Sequence, residues 1–208
     1  MSKMSKMTCS LCKQKGHNKG SCTFKKIKPL PYKNDDINTC NYWKNTEAFK
    51  SIKEKQTQRK YYKNMNASEE VLQLVELDSK PFGSECEKII SEMYSLDPRT
   101  STQNDHTFKA RKIEQKTARY WAGQDNCMWQ HLEPEHDYEY VLFVLLDFHG
   151  FKVWCIKKDL LMGDLRERHI VTFQGNQGWW TKKSDILPYL TPIKSFDDLD
   201  SFVQAVPE

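Results

Sequence analysis

No apolar run in this chain is long enough to cross a bilayer. The most hydrophobic stretch, Tyr140 to Leu146, falls far short of the roughly 20 residues a spanning helix needs and reads as a buried strand. The N-terminus lacks an apolar signal core, so no secretory leader and no membrane partner are expected. Internal repeats are absent, which excludes solenoids and propellers. There is no disulfide framework either. Of seven cysteines, Cys40, Cys86, Cys127 and Cys155 are scattered without regular spacing, and free thiols in a reducing compartment, cytosol or nucleus, are the expected state. The net charge of +4 is too small to identify a partner by itself.

The charge is unevenly placed, however. Residues 1–63 hold 16 Lys and Arg against 4 Asp and Glu, and residues 64–208 hold 16 against 24. A basic arm joined to an acidic domain points to phosphates as the arm's partner. Aromatic residues are interleaved with its lysines: Phe24, Tyr32, Tyr42, Trp43, Phe49, Tyr61 and Tyr62. Cations neutralise phosphates and planar rings stack on bases, although a solubilising linker would share the composition. Lys13, Lys15, Lys19, Lys25, Lys26 and Trp43 are the expected nucleic-acid contacts in this part of the chain, with Arg119 joining them from further on.

Within the arm, Cys9, Cys12, His17 and Cys22 follow the spacing Cys-x2-Cys-x4-His-x4-Cys. Three thiolates and an imidazole make a closed tetrahedral zinc site with no open position for substrate. Gly16 and Gly20 supply the tight turns needed to wrap so short a segment around a metal. The segment resembles the zinc knuckle of retroviral nucleocapsid proteins, and the resemblance implies one structural zinc and single-stranded nucleic acid as ligand. It carries no aromatic residue inside, so charge or protein contact is its expected mode.

The acidic domain carries the chemistry. Asp105 is followed nine residues later by Glu114-Gln115-Lys116 in a strand-like run. Alternate strand residues share a face, so Glu114 and Lys116 project together while Gln115 points away. If Asp105 ends a neighbouring strand, a second carboxylate joins them. Two acids hold a hard divalent cation, and a lysine can position an attacking water. On a surface strand the same triplet would be an ion pair worth little.

The order of elements supplies context. Phe82 to Tyr94 reads as a helix with Ser84 as N-cap, Glu85 and Glu87 in its first turn, and Cys86, Ile89, Ile90 and Met93 as its apolar stripe. Asp97 to Thr100 reads as a turn, and Asp97-Pro98 there is a rival acidic position. Tyr138 to Ile156 reads as two buried strands joined around Asp147 to Gly150, the first apolar on both faces. Upstream, Thr46 to Tyr62 is a weak helix and Ala67 to Val75 a second one. A closing helix starts at Ser195, capped through Asp198, and buries Leu199, Phe202 and Val206.

With Asp105, Ile113-Glu114-Gln115-Lys116, a helix glutamate (Glu87, or Glu85) and the later Trp129-Gln130-His131 and His136-Asp137-Tyr138 segments, the chain resembles the PD-(D/E)XK nuclease superfamily, and within it small restriction-endonuclease-like proteins. The family's Pro-Asp pair is Asn104-Asp105 here. The resemblance implies an α/β fold, a restriction-endonuclease-like mixed sheet flanked by helices, beside the small N-terminal zinc knuckle. It divides the chain into a knuckle (1–24), a basic aromatic arm with linker helices (25–78) and a nuclease domain (79–208). It implies magnesium, or manganese, on Asp105, Glu114 and the carbonyl of Gln115, a catalytic Lys116, and a buttressing Glu87. The implied activity is sequence-selective hydrolysis of double-stranded DNA, and two cuts in a duplex call for a twofold homodimer. A non-catalytic nucleic-acid-binding protein with a nuclease-like docking domain is the competing reading. Gln130, His131 and His136 either approach substrate or order the fold. Trp179-Trp180 faces DNA or forms core at a strand edge, and Arg111 and Lys112 either clamp phosphates or are solvated.

Overall fold

The computed structural model describes residues 47–205, and the side chains of 47–53 and of Gln177 lie outside that description. The zinc ligands Cys9, Cys12, His17 and Cys22, the contacts Lys13, Lys15, Lys19, Lys25, Lys26 and Trp43, and the expected burial of Val206 therefore fall outside the described residues.

Three helices lead in: α1 (Glu47–Asn64), α2 (Glu69–Glu76) and α3 (Ser79–Tyr94). α1 is rich in Lys, Gln and Glu, good helix formers with little apolar stripe. It is anchored near its end by Tyr62, which is wholly buried. The Tyr62 hydroxyl donates to the Leu146 carbonyl at 2.7 Å and accepts the Tyr120 N–H at 2.9 Å. Tyr61 packs edge-on against Phe148. Of the aromatics assigned from composition to a stacking arm, Tyr62 is thus a core residue that no base can reach. The domain begins at Glu47, so α1 and α2 belong to the same compact unit as the sheet.

Helix α3 starts earlier than its sequence suggests. Asp78, not Ser84, is the N-cap residue, and its carboxylate pairs with Lys55 of α1 at 2.6 Å. Pro81 is tolerated because the first turn has no N–H partners to lose. The buried stripe is Phe82, Cys86, Ile90 and Tyr94, while Met93 is exposed. Spacing of four places Tyr94 on the face that Met93 misses.

A six-stranded mixed sheet follows, in the order β1-β2-β3-β5-β6-β9. Its strands are β1 (Asp97–Pro98), β2 (His106–Phe108), β3 (Arg111–Arg119), β5 (Tyr140–Asp147), β6 (Gly150–Lys157) and β9 (Thr191–Pro192). Asp97-Pro98, expected as a turn, is a short edge strand, a position that tolerates proline. β3 runs parallel to β5 and the other pairs are antiparallel. All eight residues of β5 are buried, as its unbroken apolar run requires.

Period two divides the core between the two faces. Tyr140, Leu142 and Val144 join Ile113, Ile90 and Tyr94 with Leu199 and Val203 of α7 (Phe196–Gln204). Val141, Phe143 and Leu145 join Trp129 and Leu132 of β4 (Met128–Leu132) on the other. β4 lies in the crossover from β3 to β5 and forms a second sheet, β4-β8-β7, with β7 (Thr172–Phe173) and β8 (Trp179–Lys182). Trp129 locks this layer down, with its ring 4.8 Å from Phe143 and its indole N–H on the Val144 carbonyl. Short helices α4 (Lys158–Met162), α5 (Asp164–Glu167) and α6 (Lys183–Ile186) join the later strands. The architecture is α/β, a mixed sheet flanked by helices. Among the described residues no helix is long and apolar enough to cross a membrane.

Candidate functional site

β2 and β3 are joined by a two-residue turn, Lys109-Ala110, with both residues at positive φ (48° and 65°). This is the backbone that matches strand twist in tight hairpins, and it costs strain in residues other than Gly or Asn. The turn fixes the register: Phe108 pairs with Arg111 and His106 with Ile113. Asp105 comes directly before β2, beside the same stretch of β3. Its N–H donates to the Ile113 carbonyl at 3.0 Å, and its Oδ2 accepts the Gln115 N–H at 2.8 Å. Because the N–H and C=O of one strand residue leave from the same edge, the Gln115 carbonyl faces the gap that opens where β2 ends.

The loop before Asp105 is held by Asn104, which is buried. Its Nδ2 donates to the His106 carbonyl at 2.9 Å, and its Oδ1 accepts the Ser101 hydroxyl at 2.9 Å and the Ser101 N–H at 3.2 Å. Asparagine fixes this turn through its side chain where a proline would fix it through φ.

Glu114 is 5% exposed, and its Oε1 accepts from Lys116 Nζ at 2.5 Å. The pair projects from the β3 face shared with Ala118, toward the layer of β4. Burial raises the Glu114 carboxyl above its ordinary range. Lys116 opposes that shift, Asp105 adds to it, and His136 lowers it slightly. Half-buried Glu87 on α3 is raised too, first by burial, then by Asp105, against a lowering by Lys116. Three acids and one lysine from α3, the Asp105 loop and β3 therefore share one electrostatic field. Oδ1 of Asp105 and Oε2 of Glu114 carry no hydrogen bond among the described residues. Carboxylate oxygens and a backbone carbonyl are the donor types that a hard cation takes. Among the described residues no three His, Cys, Asp or Glu side chains converge on one point.

On the opposite face the Gln115 side chain is structural. Its Oε1 meets His106 Nε2 at 2.9 Å and its Nε2 donates to Thr117 at 3.0 Å. Burial lowers the His106 pKa, against raising by the Gln115 hydrogen bond and the Asp105 charge.

Arg119, expected on DNA, is turned inward. Its Nη1 donates to the carbonyls of Val75 (2.7 Å), Leu77 (2.8 Å) and Leu74 (3.4 Å), and its guanidinium lies 4.6 Å from the Phe82 ring centre. It closes the carboxyl end of α2, where unsatisfied carbonyls favour a cation. Arg111 and Lys112 pair with Glu139 and Asp137. His131 sits at positive φ in the irregular stretch of β4, while His136 lies within electrostatic reach of Glu114.

One neighbour of the site had no advance signal beyond its place after His136-Asp137. The Tyr138 hydroxyl is buried without a hydrogen-bond partner among the described residues. Burial, then the nearby Glu114 charge, raises its pKa. No family model matches the chain, and no curated protein matches it.

Proposed function

We propose that the protein is a magnesium-dependent endonuclease that hydrolyses DNA phosphodiester bonds, built on a restriction-endonuclease-like fold. One observation carries this reading: Asp105, bonded to the Ile113 and Gln115 backbone where β2 ends, lies within electrostatic reach of Glu114, and Lys116 shares the strand face of Glu114 and meets its carboxylate. Asp105, Glu114 and the Gln115 carbonyl are the groups that would hold magnesium or manganese. Such an ion would supply positive charge against the phosphoryl oxygens. Lys116, on the same strand face, would orient the attacking water and stabilise the charge of the transition state. The water oxygen bonds to phosphorus as the bond from phosphorus to the 3′ oxygen breaks; that oxygen gains a proton and the other strand end keeps a 5′-phosphate. Glu87 steadies the field from α3.

The N-terminal Cys9, Cys12, His17 and Cys22 hold one structural zinc in this reading. The basic arm around Lys13, Lys15, Lys19, Lys25, Lys26 and Trp43 brings the substrate, and two copies cut the two strands of a duplex. The test uses a short duplex, labelled at either end, incubated with the full chain and magnesium. A 5′-phosphate at the new end, with no product when calcium replaces magnesium, supports the proposal. Tight binding without product across magnesium and manganese would point instead to a nucleic-acid-binding protein whose site is not catalytic.

A further inference from the structure

The hairpin formed by β7 and β8 lies outside the Asp105–Lys116 site, and its aromatic residues are only partly covered. Phe173 is 63% exposed, the most exposed large apolar side chain among the described residues. It pairs across the strands with Trp179, their rings 5.4 Å apart. Arg166 stands 5.4 Å from the Trp179 ring centre, Lys182 lies 5.6 Å from Trp180, and Arg168 lies 5.0 Å from Tyr189.

About half of the cations among the described residues pair with carboxylates, Arg59 with Glu69 and Glu76, Lys109 with Asp200 and Lys183 with Asp125 among them. Arg166 and Lys182 have no ion-pair partner among the described residues and stand over rings instead. A cation on an aromatic face keeps its charge available to an anion. Phe173 and Arg166 both lie near Trp179, the two rings tilted at 56°, and Phe173 is the ring left open to solvent. Positive charge without counter-ions beside an open ring is the composition of a nucleic-acid stacking platform. The hairpin also adjoins the candidate site along the chain. Trp179 pairs with Leu132, the last residue of β4 before the segment that carries His136 and Tyr138.

We propose that Phe173 stacks on an unpaired base of a DNA strand, with Arg166 and Lys182 on the flanking phosphates. This rests on the proposed nucleic-acid substrate and gives it a grip outside the hydrolytic residues. Binding is measured with the full chain, in magnesium-free buffer without chelator, so that zinc is kept and cleavage is not needed. The probe is a fluorescently labelled single-stranded thymidine oligonucleotide carrying one 5-iodouracil. Phe173→Ala should weaken binding about tenfold, Phe173→Trp should preserve it, and a duplex of the same length should be little affected by either. Lys182→Ala should reduce the slope of affinity against salt by about one. Photocrosslinks should map to the peptide spanning 173–180. Unchanged affinity in Phe173→Ala, equal loss on duplex and single strand, or crosslinks confined to other peptides would overturn the proposal. Because no step depends on hydrolysis, a protein that fails to cleave can still pass this test.

Discussion

Replacing Lys116 by Met asks how much of the candidate site is held by charge. The change keeps the apolar stem and removes the ammonium that meets Glu114 at 2.5 Å. Both side chains are largely buried, at 17% and 6% exposure, so solvent screens the pair weakly. Leaving one member of a buried pair without its partner costs on the order of 3–5 kcal/mol, and the residual exposure of Lys116 sets the expectation at about 3. The cost depends on pH. The native Glu114 carboxyl is already raised, chiefly by burial, with Lys116 the main opposing influence. A raised carboxyl favours the folded state when protonated, so its contribution is full below the unfolded pKa and lost as pH rises through the native value. Without Lys116 that native value moves higher still, and the charged form is the penalised one. Urea unfolding at pH 8 should therefore show the full deficit, and at pH 5 a deficit smaller by roughly 1 kcal/mol or more. Adding Glu114→Gln removes the stranded charge and should bring the double variant to within about 1 kcal/mol of wild type at pH 8. Equal deficits at both pH values, or no recovery in the double variant, would refute the assignment of the cost to a buried, unpaired Glu114.

Two further substitutions separate structural roles from functional ones. Arg119→Lys cannot reproduce the guanidinium on three carbonyls and should lower stability by about 2 kcal/mol while leaving the salt dependence of DNA binding unchanged; unaltered melting with weaker DNA binding would return Arg119 to a phosphate-contact role. Tyr138→Phe removes a buried hydroxyl that lacks a partner and should be neutral or stabilising by about 1 kcal/mol in urea unfolding; a loss of that size would mean the hydroxyl is paired in solution.

What the sequence made legible was local. Ser195 caps α7 through the Asp198 N–H as its spacing predicts. The β5–β6 hairpin follows from two apolar runs around Asp147 to Gly150. The alternation that puts Glu114 and Lys116 together is a property of any strand, so that half of the site was readable as well. The start of α3 was not, because Pro81 and Gly83 resemble breakers unless the helix is known to begin before them. The role of Tyr62 was hidden for a different reason. A single buried anchor in a lysine-rich helix leaves no periodic signal, and its partners Leu146 and Tyr120 are distant in sequence. The β4-β8-β7 sheet pairs short strands about 50 residues apart, with a register shift between Trp129 and Leu132, and pairings of that kind are set by packing on Phe143 and Val144 rather than by local pattern. Arg119 looked like a phosphate clamp beside the triplet because nothing local marks the end of α2 as its destination.

The most direct test of the proposed hydrolytic site is cleavage of supercoiled plasmid in magnesium by the wild-type chain beside Lys116→Ala and Glu114→Ala, with folding of each checked by circular dichroism. The expected result is discrete fragments from wild type and none from either variant. Intact plasmid in every lane, across several DNAs and with manganese as well, or cleavage that survives both substitutions, would contradict the assignment.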